Sequence, residues 1–111
     1  MFELIKQGAV SVLQGSLPLN RENVAAAEAL CAPCFERGQP KLVIDMSAVP
    51  LIDSSGLEWL LDTHIKAQTR GGRMSIANPT ALCMDILRVT EIPERCRLYS
   101  DALTAVGSYV E

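Results

Sequence analysis

The chain has 111 residues, 49% of them apolar, and a formal net charge of −3. That length and apolar content suit a single domain over residues 1–111, and the ten basic residues are scattered without a stripe of interleaved aromatics, which argues against a nucleic-acid partner. No apolar run approaches the ~20 residues that cross a bilayer, and Met1-Phe2-Glu3-Leu4-Ile5-Lys6 lacks a basic region followed by a signal-peptide core, so neither membrane insertion nor export is expected and the expected location is the cytoplasm.

Phe2 to Lys6 and Ala9 to Gln14 read as two strands of a hairpin around Gln7-Gly8, with Val10 and Val12 alternating against Ser11. After the turn-like run Gly15-Ser16-Leu17-Pro18-Leu19-Asn20, the segment from Glu22 to Arg37 places Val24, Ala27, Cys31 and Phe35 on one helical face. Gly38 and Pro40 end it. Leu42-Val43-Ile44 is a continuous apolar run, as expected of a central strand covered on both faces. A second helical pattern runs from Ser55 to Thr69 and presents Leu57, Leu60, Leu61 and Ile65 to the sheet. Gly71-Gly72 then leads into a strand from Arg73 to Ala77. Asn78 with Pro79 predicts the cap and first residue of a helix reaching Thr90. Cys96 to Tyr99 gives a last strand, and Ser100-Asp101 caps a terminal helix with Leu103, Val106 and Val110 on one side. The order ββαβαβαβα predicts an α/β fold with a mixed, mostly parallel sheet of about five strands and about four helices.

The most informative stretch runs from Val43 to Leu57, where a buried strand hands over to a helix through small and polar residues. Loops beyond the carboxyl ends of strands collect function in open α/β sheets, and a helix N-terminus offers free N–H groups and partial positive charge. A phosphate on Ser54 fits that position. The plainer reading makes Asp53 or Ser54 an N-cap, with Gly56 there for close packing.

Asp45-Met46-Ser47 followed by Leu51-Ile52-Asp53-Ser54-Ser55-Gly56-Leu57 resembles the motif region of STAS domains, the family of bacterial anti-sigma factor antagonists. Gly15-Ser16-Leu17 matches the family's glycine turn after the second strand, and Gly71-Gly72-Arg73-Met74 the glycine pair before the fourth. The resemblance implies a STAS fold and a non-catalytic, phosphorylatable switch. A kinase-type anti-sigma factor binds the unmodified protein and phosphorylates the serine after the aspartate, here Ser54, and a serine phosphatase restores it. The partner surface implied is Asp53, Ser54, Ser55, Gly56, Leu57, Glu58 and Trp59. Two departures stand near it: Pro18-Leu19-Asn20 where many antagonists carry an aspartate, and Glu58 where a glycine is frequent. Family members without phosphorylation imply an alternative, a constitutive subunit of a transporter or scaffold such as a lipid-transport ABC complex.

Enzymatic readings fare worse. Ile52 stands where the first glycine of a G-x-S-x-G nucleophile elbow belongs, and the single histidine, His64, lies ten residues beyond Ser54, about 15 Å along a helix at 1.5 Å per residue. Its expected role is packing. Cys31-Ala32-Pro33-Cys34 has the form of a thioredoxin motif but falls late in its helix, where the dipole disfavours a thiolate. Cys83 and Cys96 do not complete a zinc spacing. No metal and no cofactor is expected. Trp59 stands either as an outward anchor beside Asp62 and Lys66 or folded down over a neighbouring loop.

Overall fold

The computed structural model describes residues 1–110, the side chain of Val110 excepted, so the place assigned above to Val110 lies outside the described residues. Strands β1 (Phe2–Gln7) and β2 (Val10–Gly15) form the antiparallel hairpin, and β3 (Lys41–Asp45), β4 (Arg73–Ala77) and β5 (Arg97–Tyr99) continue the sheet in parallel, in the order β1-β2-β3-β4-β5. Five α-helices accompany them: α1 (Val24–Cys31), α2 (Ser54–Thr69), α3 (Ala81–Arg88), α4 (Ile92–Arg95) and α5 (Ala102–Gly107). This is the predicted α/β architecture, with one short helix more.

Alternation along the strands splits the core in two. Leu13, Leu42, Ile44, Met74 and Ile76 face a large apolar layer completed by Ala27, Trp59, Leu60 and Leu87. Val10, Val12, Val43 and Ala77 face the other way and meet Ala105, with Tyr99, Val106 and Tyr109 packed around them. The run Leu42-Val43-Ile44 is buried on both sides for that reason.

Four local expectations are corrected. The first helix is α-helical only to Cys31 and continues as a 3-10 turn, Ala32–Phe35, because Pro33 cannot donate the next hydrogen bond of an α-helix. Val24, Ala27, Cys31 and Phe35 still share the inner side. Asn78 is not the cap of α3. It takes a left-handed conformation (φ 47°) and donates its N–H to the Tyr99 carbonyl (2.7 Å), while Thr80 caps α3 by accepting from the Cys83 N–H at 3.2 Å. That helix closes at Arg88, and Thr90 accepts from the Ile92 N–H (3.2 Å) to start α4. Asp101 does cap α5, yet Leu103 points outward and the buried contact with the sheet is made by Ala105, with Ala102 and Val106 packed beside it. In α2 the inner face is rotated: Trp59, Leu60, Thr63, His64 and Ala67 are buried and Ile65 is exposed.

Candidate functional site

The chain leaves β3 through a turn in which the Asp45 carboxylate accepts from the Ser47 N–H (3.0 Å) and the Met46 carbonyl from the Val49 N–H (3.1 Å). It then runs beside the segment that follows β2. Leu19 donates to the Leu51 carbonyl (2.9 Å) and accepts from the Asp53 N–H (3.1 Å), a parallel bridge between Leu19 and Ile52. Both side chains are buried, so the loop is pinned by backbone pairing and apolar packing together.

Asp53 ends that extended run and begins α2. Its Oδ1 accepts from the Gly56 N–H at 3.0 Å and its Oδ2 from the Arg21 N–H at 3.1 Å, so one carboxylate caps the helix and ties in the loop before α1. The Gly56 amide, with the Arg21 amide second among the donors, holds the Asp53 carboxyl below the ordinary aspartate range. Gly56 is required by the same close approach. A Cβ there would collide with the Leu19 carbonyl oxygen and come within 2.8 Å of Ile52 Cγ1. Both halves of the plainer reading therefore hold: Asp53 caps and Gly56 packs.

Capping by Asp53 leaves Ser54 free for another task. It is the first residue of α2 and exposed, at the positive end of the helix dipole. Ser55 and Leu57 are half-buried beside it, Glu58 is exposed, and Pro50 and Leu51 expose apolar surface on the approach. Asp53 to Glu58 are thus gathered at one corner of the molecule.

Trp59 is not an outward anchor. Only 8% of it is exposed, and its ring closes the space between α1 and α2 with Cys31 and Phe35 near Glu28, Asp62 and Lys66. The Lys66 ammonium lies 4.7 Å from the centre of the Phe35 ring and covers that end. Leu19 and Arg21 are the site residues that sequence reasoning missed; the one signal was the alternation of Leu17 and Leu19 about Pro18 in a stretch that otherwise reads as a turn.

His64 is buried away from Ser54, with no described partner for Nδ1; burial first, and the Arg95 charge second, push its pKa down. Cys31 closes α1, and burial followed by the nearby Cys34 pushes its thiol up to about 12. Burial likewise raises Cys96 to about 11. Thiols so poised stay protonated at neutral pH and are poor nucleophiles. Among the described residues no three potential ligands gather for a metal, and no helix is long and apolar enough to cross a membrane.

The sequence profile of the STAS domain family matches residues 1–105. The chain belongs to the STAS domain family. Among solved structures, a Thermotoga maritima protein described as a candidate anti-sigma factor antagonist superposes with a TM-score of 0.91 at 20% identity, covering 99% of this chain and 95% of that one. An anti-sigma factor antagonist from Mycobacterium paratuberculosis gives 0.88 at 22% identity, covering 100% and 94%. The antagonist SpoIIAA in its unphosphorylated form gives 0.74 at 14%, covering 99% and 97%. At such identities the likeness establishes the STAS fold. Among curated proteins no match was found.

Proposed function

We propose that this STAS domain is a single-domain, cytoplasmic, non-catalytic switch that binds a protein partner through Asp53 to Glu58 and releases it when Ser54 is phosphorylated. The partners proposed are an anti-sigma factor serine kinase, which both binds and modifies the domain, and a serine phosphatase that reverses the mark. The observation that carries this reading is the division of labour at the start of α2. Asp53 holds the helix end and Gly56 admits the Leu19 strand, which leaves Ser54 outward and without a duty in the fold. Trp59 supports the surface from beneath.

The physical logic of release is electrostatic. A phosphate adds about −1.5 to −2 charge. Within the domain it meets the helix dipole, worth roughly 0.3 to 1 kcal/mol, against repulsion from Asp53, so the fold barely responds. A partner packed over Ser54 must desolvate that charge without a matched cation, at several kcal/mol, and each ~1.4 kcal/mol is tenfold in affinity.

The test is mass spectrometry of the protein recovered from its own cells with its partner. A phosphopeptide containing Ser54, together with a kinase in the complex, supports the switch. A stable complex with a transporter ATPase or scaffold and unmodified Ser54 overturns it in favour of the constitutive subunit.

A further inference from the structure

At the opposite end of the sheet from Ser54, the first residues of β3 and β4 are Lys41 and Arg73, and they stand in register as neighbours on adjacent parallel strands. Two like charges at paired positions repel unless something answers them. Nothing described does. Among the described residues the one ion pair is Arg88 with Asp85, and none of them offers Lys41 or Arg73 a carboxylate within ion-pair distance.

Arg73 is held in place by neutral groups. One guanidinium nitrogen donates to the Ser108 carbonyl (3.0 Å) and hydroxyl (2.8 Å), the other to the Tyr99 hydroxyl (3.4 Å), and the plane lies 4.2 Å from the centre of the Tyr109 ring. Tyr109 is itself anchored, donating to the Leu42 carbonyl at 2.7 Å. The guanidinium has five N–H donors, so this clamp leaves two of them, including Nε–H, for a ligand. Arg73 lines an open hollow of about 210 Å³ with Lys41, Gln39 and Gly71. A second hollow of about 420 Å³ shares Lys41 and Tyr109 with the first and is walled by Gly8, Ala9, Val10 and Val106. Hydrogen bonding from Ser108 first, with Arg73 and Arg97 adding, lowers the Tyr99 phenol to about 8.

We propose that this end of the sheet binds a phosphomonoester, its phosphate between Lys41 and Arg73 and its apolar substituent in the hollow beside Val10 and Val106. An arginine already oriented by its other donors is suited to an oxyanion, because little side-chain freedom is lost when the ligand arrives. Beyond Lys41 and Gln7 the adjoining wall is built of glycine, alanine, valine and Tyr109, which favours a substituent with apolar surface over a bare ion. The proposal does not depend on the role of Ser54.

Titration of the isotope-labelled protein with inorganic phosphate and with phenyl phosphate, followed by amide NMR, tests it. The expected result is saturable shifts at Lys41, Gly72, Arg73 and Ser108 with both probes, tighter binding of phenyl phosphate, and shifts at Gly8 and Ala9 with phenyl phosphate alone. Lys41→Gln should weaken both by about tenfold or more, and Lys41→Arg should restore binding. The spectrum away from the hollow reports that each variant is folded. Shifts confined to residues 53–56, no saturable shift, or a K41Q affinity equal to that of the wild type would overturn the site. Equal affinity for the two probes would overturn the role given to the second hollow.

Discussion

The two ends of β3 solve the problem of charge in opposite ways. At the carboxyl end the Asp53 carboxylate is answered on both oxygens from within the chain, and the loop that carries it is bridged to Leu19. At the amino end Lys41 and Arg73 share a register position with no described carboxylate between them, and the groups that fix Arg73 are neutral. A corner whose polar groups are already satisfied can receive a covalent phosphate without refolding, so a change of charge there speaks to a partner. An end with cations unanswered by any described carboxylate is where the proposed ligand would bring the counter-charge. The proposed modification and the proposed ligand site fall at opposite ends of a sheet in a domain with a Cα radius of gyration of 12.5 Å.

Substitution at Trp59 is the most drastic way to break the carboxyl end. The buried ring links α1 to α2 directly behind the Ser54 surface, so Trp59→Ala should cost about 3–5 kcal/mol of stability in denaturant titrations. A nearly unchanged midpoint would show that the ring belongs to the surface. Gly56→Ala is smaller in chemistry and aimed at one contact. The added methyl meets the Leu19 carbonyl and Ile52, and the expected loss is about 1–3 kcal/mol as the bridge is forced apart, read by thermal melting and by faster exchange of the Asp53 amide. An unaltered melting temperature would mean that Leu19 moves aside freely and that the corner is not pinned.

The pH dependence sharpens the comparison with a smaller effect. His64 is buried and its pKa lies below the usual 6.5, so the unfolded chain binds the proton more readily than the folded one. Its stabilising contribution is complete above pH 6.5 and is lost progressively as the pH falls through 6.5 toward the folded value. The melting temperature should decline over that window, and His64→Gln should flatten the decline. An identical slope in the variant would assign the effect to other groups.

Much of this architecture was legible in the residues, because burial imposes periodicity. Leu42-Val43-Ile44 announced a strand covered on both faces, and Val24, Ala27, Cys31 and Phe35 marked an inner face that survives even where Pro33 turns the α-helix into a 3-10 turn. What stayed hidden depends on distances across the fold. Asn78 looks like a cap in sequence, but the Tyr99 carbonyl draws its amide away and passes the role to Thr80. Leu103 matches the apolar pattern of a terminal helix, yet it faces away and Ala105 with Val106 meets the sheet. At the site, Asp53, Ser54 and Gly56 could be named from spacing alone. Leu19 and Arg21 could not, since one pairs its backbone with, and the other donates its N–H to a carboxylate of, a segment 32 or more residues away in the chain. The Arg73 clamp was hidden for the same reason: Tyr99, Ser108 and Tyr109 come from elements with no shared motif.

The central claim, that Ser54 governs binding while the fold stands apart, is tested most directly by one paired measurement on the unmodified and Ser54-phosphorylated protein: affinity for the partner kinase recovered with it, and melting temperature in the same buffer. Phosphorylation should lower affinity by about a hundredfold or more, equivalent to ~2.8 kcal/mol, while the melting temperature shifts by no more than a few degrees. Equal affinity of the two forms, or a phosphoprotein that loses binding only because it has unfolded, would contradict it.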